Sequence, residues 1–302
     1  MTPPLAVIIN PISGTGGRRD VLDERVRLAE SLAGEHGAKV RVLVSGHRGH
    51  ARELAEGALA SGVTTMVGWG GDGTLNEVAS VLAFRHATLG VVPSGSGNGL
   101  ARELGIPLNP RDAFAVALRG SERTIDCGEL DGHLFFNVAG IGLDARVAHE
   151  FATHTTTRRG FRRYLEITGR ELFRYVPDEH TVTVDGTVLR SRALMIVIAN
   201  GRQYGNGALI APQARPDDGS LDVVVIEDRP AWRALFQVPY VFAGQIARVP
   251  GVTMLRGESI AITSGRPVIF HVDGEPFVGG ATLQARIHRA ALRVRVPPTP
   301  GR

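Results

Sequence analysis

The chain has 302 residues, enough for two domains with sizeable cores, and its single cysteine, Cys127, excludes an internal disulfide and points to a reducing, cytoplasmic compartment. Lysine and arginine number 34 against 30 aspartate and glutamate, a net charge of +4 that suits anionic surfaces or phosphorylated ligands and is too weak to single out nucleic acid. The N-terminus carries no basic signal region, so no secretory leader is expected, and no run approaches the ~20 apolar residues of a membrane span. In chain order, "LAVIIN" reads as a strand, residues 21–33 as a helix, "KVRVLVS" as a strand and "ARELAEGALAS" as a helix. "TTMVGW", "LNEVASVLA" and "TLGVVP" continue as strand, helix and strand. In "NPRDAFAVALRG", Asn109 is the expected N-cap, Pro110 the first helical residue and Gly120 the stop. This alternation predicts a doubly wound parallel sheet with helices on both faces.

From about residue 121 the rhythm becomes strand-rich, with helical exceptions near 158–175 and 231–247. Asp185-Gly186 in "TVTVDGTVL" signals a tight hairpin. The expectation is an α/β nucleotide-binding domain over 1–121 and a β-rich, sandwich-like domain over 122–302, whose last strand returns to the first domain. The tail "PPTPGR" is expected to be disordered.

The stretch "VGWGGDGTLNEVAS" places Gly68, Gly70 and Gly73 in a G-x-G-x-x-G pattern between a strand and a helix. A dinucleotide site also needs an acidic residue about 20 positions on to hold the ribose. That position falls in "LGVVPSGSG", which has none, and "SGTGGRR" does not supply a Walker A lysine. A phosphoryl-transfer site explains more. The glycines expose backbone amides, and Thr74 with Glu77 has the spacing of a capping box, which predicts a helix starting at Thr74. Its N-terminus favours phosphate, and the Asp72 carboxylate beside that phosphate makes sense with Mg²⁺ between them. Two further small-residue loops, "INPISGTGG" and "VVPSGSGNGLARE", follow other parallel strands, so all three are expected at one edge of the sheet.

"NPISG", "GGDGTLNEV" and "PSGSGN", in this order, resemble the catalytic domain shared by diacylglycerol kinases, sphingosine kinases and bacterial lipid kinases. "IDCGEL", "FFNVAGIGLDARV", "ANGRQYGNGALIAPQARPDDGSLDVVVI" and "HVDGEP" extend the resemblance over nearly the whole chain. The resemblance implies a two-domain, ATP- and Mg²⁺-dependent lipid kinase. It assigns Asn10, Pro11, Ile12, Ser13, Gly14, Ser45, Gly71, Asp72, Gly73, Thr74, Leu75, Asn76, Glu77 and Ser96 to nucleotide binding. It implies a structural Mg²⁺ on Asp218 and the carbonyls of Arg215 and Ser220. Glu275 would be the proton acceptor, with Asp273 beside it and Asp126 and Asp72 as further acidic positions of the site. The third loop carries Asn98-Gly99 where many relatives have Asn-Asp, a form closer to sphingosine kinase-like members. Apart from the resemblance, Asp-Gly in "HVDGEP" is also an ordinary hairpin turn.

The implied acceptor is a lipid hydroxyl at a membrane surface, diacylglycerol-like first and a long-chain base or ceramide second. NAD or another soluble acceptor, and a non-catalytic sensor, stand as alternatives. "RRGFRRYLEITGRELFRY" interleaves Arg158, Arg159, Arg162, Arg163, Arg170 and Arg174 with aromatics; it reads either as an interfacial helix on anionic lipid or as an amphipathic helix with its aromatics in the core. His271 is expected to be a core or surface histidine, and Trp69 to pack beside the sheet. No histidine spacing suggests a metal site. Nothing calls for nucleic acid or a stable protein partner; a homodimer is compatible with the sequence.

Overall fold

A computed structural model describes residues 5–14, 19–153 and 161–298. The chain divides into two compact units: residues 1–125 with 290–302, and residues 126–289. The first unit opens with β1 (Leu5–Ile9), α1 (Arg19–Glu35), β2 (Val40–Val44), α2 (His50–Ala60) and β3 (Thr65–Gly70). It continues with α3 (Asp72–Leu82), β4 (Thr88–Pro93), the short α4 (Gly99–Glu103) and α5 (Pro110–Arg119). The strands pair in parallel in the order β2-β1-β3-β4, and Arg293 and Val294 of the chain's last strand add a parallel edge to β4. Every residue of β1 and β4 is buried, as expected of apolar strands covered on both faces. Helix α1 packs with α5, and α2 with α3, so helices clothe the two faces of a doubly wound sheet. The strand order reverses between β1 and β3, which puts the switch point of the sheet beside the loops that follow them.

The helix caps divide into one success and one correction. Asn109 caps α5 as expected, its Oδ1 accepting from Arg111 N (2.9 Å) and Asp112 N (3.4 Å). The expected start of α3 at Thr74 is wrong. Gly71 is the N-cap and Asp72 the first helical residue, so Thr74 is already the third and Glu77 lies a turn beyond capping reach. The Glu77 carboxylate instead accepts from Gly49 N (2.9 Å) and Arg52 N (3.3 Å) at the start of α2, where Gly49 has no side chain to cap with. A neighbouring helix with unsatisfied amides outcompetes the local capping box.

Strand β5 (Ser121–Leu130) runs from the first unit into the second. There follow β6 (His133–Phe135), β7 (Val138–Gly142), α6 (Leu143–Thr153), α7 (Phe161–Leu172), β8 (Asp178–Val184), β9 (Thr187–Ala199) and β10 (Leu221–Glu227). The unit is completed by α8 (Ala231–Phe242), a 3-10 turn at Ile246–Arg248, β11 (Val252–Gly257), β12 (Ser259–Ser264), β13 (Ile269–Val272), β14 (Glu275–Val278) and β15 (Thr282–Val296), whose end belongs to the first unit. The strand pairs of this unit are antiparallel and centre on β9, which pairs β8 through its first half and β7 and β10 through its second. One core cluster gathers Phe135, Ile141, Ile196, Ile198, Val223, Phe270 and Leu283; a second, with Val197, Val224 and Ile210, lies on the opposite side chains of β9 and β10. The helix expected over 231–247 stops at Phe242, because Gly244 takes a left-handed conformation (φ 67°) and breaks it.

Three Asp-Gly pairs, Asp131-Gly132, Asp185-Gly186 and Asp273-Gly274, have both residues at positive φ and close the β5–β6, β8–β9 and β13–β14 hairpins. The hairpin expected at Asp185-Gly186 is therefore present, and "HVDGEP" is built on the same turn. Of the basic-aromatic segment, Arg158 and Arg159 lie outside the described residues, as do the side chains at 161–165 and the last four residues of the tail.

Candidate active site

In the first unit the loops after β1, β3 and β4 meet. Asn10 Nδ2 donates to Thr74 Oγ1 (2.8 Å), joining the first loop to α3 across the switch point. Ser13 and Ser94 hydroxyls lie 2.6 Å apart, joining the first loop to the third. The loops also touch backbone to backbone: a Cβ on Gly95 of the third would sit 2.7 Å from Gly71 Cα of the second, and one on Gly14 of the first would clash with Ser94 O of the third. Side chains larger than hydrogen are excluded at both places. Asn98, in the left-handed region, clips the third loop by exchanging hydrogen bonds with Gly95 N (2.8 Å) and Gly95 O (2.9 Å). Ser45 is buried at the end of β2, its N–H donating to Ile9 O.

The structure thus brings together Asn10, Ser13, Gly14, Gly71 and Thr74, with the half-buried Asp72 at the first turn of α3. The amides of that turn favour an anion. Pro11 and the exposed Ile12 belong to the same first loop, Gly73 to the same helical turn, and Ser96 is exposed in the third loop. Leu75 and Asn76 are buried within α3, and Glu77 is turned to α2.

Arg25 is a component that the sequence reading missed. It is 8% exposed, and its guanidinium donates to Asn10 O (2.9 Å) and Ser13 O (2.9 Å), fixing the first loop from below. Burial holds its pKa below the ordinary arginine value, with Glu24 offsetting part of the shift, and the group lies 6.0 Å from the Trp69 ring centroid. Its signal was present: Arg25 falls on the helix face of Ala29 and Leu32, where a solvated arginine would not be placed. Trp69 packs in the core against Phe114, as expected.

In the second unit, Asp273 and Glu275 flank Gly274 at the β13–β14 turn. The Asp273 carboxylate accepts three main-chain N–H groups: Phe136 (2.9 Å), Asn137 (3.0 Å) and Val138 (3.0 Å). Asp185 does the same at its hairpin, accepting from Glu258 N and Ser259 N. Bracing a neighbouring strand is thus a recurrent use of the turn aspartate in this fold, and Glu275 is the half-buried carboxylate that the braced turn presents at the head of β14. Asp126 is buried, and its Oδ2 accepts from Gly219 N (2.7 Å). The fully buried Asn200 donates to both Asp126 O (3.0 Å) and Phe136 O (3.0 Å), linking Asp126 to the segment that Asp273 braces. Asn137 and Asn200 were not singled out from the sequence, although each ends an apolar run ("HLFFN", "ALMIVIAN") where a buried amide must serve the backbone.

Arg215, Asp218 and Ser220 lie on the loop before β10. One carboxylate with main-chain carbonyls would suit a hydrated Mg²⁺. Here, however, Asp218 Oδ2 is paired with the Arg256 guanidinium and its Oδ1 accepts from Ser220 N (3.2 Å). Neighbouring Asp222 is buried, which raises its pKa, with Asp218 adding to the rise and Arg256 opposing it. Among the described residues no group of three or more histidine, cysteine, aspartate or glutamate side chains could hold a metal. The loop as arranged does not fit a preassembled Mg²⁺ site.

Residues 4–130 match the diacylglycerol kinase catalytic domain, and residues 137–296 the YegS C-terminal NAD kinase beta sandwich-like domain. Among curated proteins the chain is 34% identical to "Probable lipid kinase YegS-like" of Pseudomonas aeruginosa, over 91% of this chain and 90% of that one. It is 29% identical to "Diacylglycerol kinase" of Mycobacterium tuberculosis, over 85% and 84%. Among solved structures it superposes on a diacylglycerol kinase of Bacillus anthracis with a TM-score of 0.69 at 19% identity, covering 97% and 96% of the two chains. It also superposes on an NAD kinase of Archaeoglobus fulgidus solved with ATP, with a TM-score of 0.52 at 13% identity and 96% and 93% coverage; both show the shared fold. With both halves of the fold and nearly its whole length accounted for in this way, the chain belongs to the diacylglycerol kinase family with a YegS-type C-terminal domain and is a lipid kinase.

Proposed function

We propose that the enzyme transfers the γ-phosphoryl group of MgATP to a hydroxyl of a diacylglycerol-like lipid. The observation that carries this reading is the convergence of three small-residue loops at the switch point of the first unit, with Asp72 at the amide-rich start of α3. Asn10, Ser13, Gly14, Gly71 and Thr74 shape a backbone-lined cradle for the triphosphate, and Asp72 faces the Mg²⁺ that accompanies it as part of the substrate. Glu275 accepts the proton of the attacking hydroxyl. The lipid oxygen bonds to the γ-phosphorus, the bond to the β-phosphate bridging oxygen breaks, and ADP leaves. Asp273 and Asp126 act by holding the turn and the loops around it, since their carboxylates are engaged with backbone amides.

A lipid acceptor requires contact with a membrane. No helix among the described residues is long and apolar enough to cross one. A cleft of about 520 Å³ in the second unit is lined by four arginines, Arg146, Arg170, Arg174 and Arg266, against two glutamates, Glu150 and Glu171, which pair with Arg170 and Arg146; Val176 at 65% exposure lies on it and Phe173 at 70% exposure is beside Arg174 in the chain. Cations beside exposed apolar side chains support peripheral docking on an anionic, cytoplasmic membrane face.

The test is transfer of labelled phosphate from ATP with Mg²⁺ to a panel of diacylglycerol, phosphatidylglycerol, sphingosine, ceramide and NAD in mixed micelles. Diacylglycerol is expected to be labelled fastest. Labelling of NAD alone would overturn the lipid reading, and a fast long-chain base would move the headgroup to the sphingosine side. Asp72→Asn and Glu275→Gln should each lower turnover by about 10²-fold or more, as loss of a charge-positioning or proton-accepting group does. Full turnover in both folded variants would remove the roles given to them.

A further inference from the structure

Beneath the Glu275 turn lies a chain of polar groups that the reaction as described does not use. His271, on β13, is 3% exposed. Its Nδ1 lies 3.3 Å from Gly274 N, and its Nε2 lies 3.1 Å from Asp144 Oδ2. An amide nitrogen can only donate, so Nδ1 is the acceptor, and the Nε2 N–H faces the carboxylate. Asp144, at the start of α6, is itself held by Tyr204, whose hydroxyl donates to Oδ2 (2.6 Å), and by Ala145 N, which donates to Oδ1 (2.8 Å). The cluster is made possible by Gly140 on β7, cross-strand partner of His271, where a Cβ would lie 1.8 Å from Asp144 Oδ2.

We propose that His271, oriented by Asp144 and Tyr204, is a positioning residue that fixes Glu275 by holding the amide of Gly274. This rests on the assignment of Glu275 as proton acceptor. The β13–β14 turn is gripped on one side by the three amides that bind Asp273. On the other side Glu275 is paired with Val272 in the hairpin ladder, and the His271 acceptor holds the residue immediately before it. Burying a carboxylate and an imidazole together is costly unless both are satisfied, and the half-buried Tyr204 hydroxyl completes the set. A plain apolar core would hold two strands more cheaply, so the network's distinctive product is a defined turn geometry. Catalysis by proton transfer is sensitive to such geometry at the ångström level.

The experiment separates the two ring nitrogens. His271→Asn places an acceptor near the Nδ1 position and gives up the reach to Asp144; His271→Gln places a donor near Nε2 and gives up the acceptor for Gly274. His271→Leu removes both, and Tyr204→Phe loosens only the far end. With lipid and MgATP as substrates, the Leu and Gln variants should lose about tenfold or more in kcat with both KM values within twofold, the signature of lost transition-state positioning. Asn should recover most of kcat, and Tyr204→Phe should fall between. Thermal melts run alongside, so that kcat is compared with the order of the acceptor and not with the order of stability. Equal kcat for Asn and Gln, or kcat that tracks melting temperature alone, overturns the proposal, as does wild-type kcat in folded His271→Leu. If the Leu variant does not fold, the Asn and Gln pair decides. Glu275→Gln runs in parallel: full activity there removes the proton-acceptor reading, whereas an inactive Glu275→Gln beside an indifferent His271 series removes the positioning role alone.

Discussion

At the level of single residues, Gly95 shows what the glycines of the first unit are for. Its φ is not in the left-handed region, so conformational freedom does not demand glycine here; the approach of Gly71 Cα does. Gly95→Ala places a methyl 2.7 Å from that atom and 3.0 Å from Asn98 Oδ1, forcing the second and third loops apart. Overpacking of this kind costs about 1–3 kcal/mol, so ATP affinity should fall by roughly tenfold, each factor of ten being about 1.4 kcal/mol. Calorimetric titration with ATP checks this, and an unchanged Kd would dissociate the loop junction from nucleotide binding. Cys127 yields a second prediction. Burial pushes its thiol up to about 12, with Glu129, Asp126 and Asp273 adding to the rise. The folded thiol therefore keeps its proton where the unfolded one, with a pKa near the ordinary 9.0, has lost it. This contribution to stability is intact below about pH 9 and is lost as pH rises towards 12. At pH 8 a disulfide reagent should modify Cys127 only at the rate of unfolding, while the urea-unfolded chain reacts at once. Position, more than identity, is what the sequence hid at this scale. The glycines and Asp72 were visible in the string, but the partners of Gly14, Gly95 and Asp273 lie 24 to 137 residues away in the chain, and no local pattern encodes them.

Elements were legible wherever local chemistry had no competitor. β4 and α5 fall where their apolar pattern and the Asn109-Pro110 signal put them, because an N-cap with no rival acceptor decides its own helix start. The start of α3 was misread because the capping box competes with the needs of α2, which begins at an uncapped glycine. Glu77 therefore stabilises a helix other than its own. Glu77→Ala should destabilise the protein by about 1 kcal/mol, the ordinary cost of losing a cap, and Glu77→Gln, which keeps one acceptor oxygen, by about half as much. Urea midpoints measure both, and hydrogen exchange should place the loss at the first turn of α2 and not at α3. The three Asp-Gly hairpins make the complementary point. One dipeptide with one backbone shape appears three times, and only the tertiary surroundings separate the turn that presents Glu275 from the two that do not. A motif scan cannot make that distinction; the three amides converging on Asp273 and the histidine under Gly274 can.

For the molecule as a whole, the chain leaves the first unit at residue 125 and comes back to it at residue 290. The returning segment pairs in parallel with β4 at Thr88 and Leu89, accepts from Phe84 N through Ala291 O, and sends Arg295 to Gly120 O (3.0 Å). Leu292 and Val294 are buried there. Fully burying side chains of this size contributes about 1.5–3 kcal/mol each, so the segment supplies several kcal/mol to a unit whose total stability is on the order of 5–15 kcal/mol. The doubly wound unit is therefore not a self-sufficient N-terminal module, although its helices, loops and glycine turns all lie in the first 125 residues. A chain ending at residue 289 should lose most of its ATP binding and melt at a markedly lower temperature or in two steps, the lower being the first unit. A chain ending at residue 298 keeps every one of these contacts and should match the full-length protein in both measurements. If the 289 truncation melted and bound ATP like wild type, the last strand would be an ornament on β4, and the first unit would have to draw its stability from its own four strands.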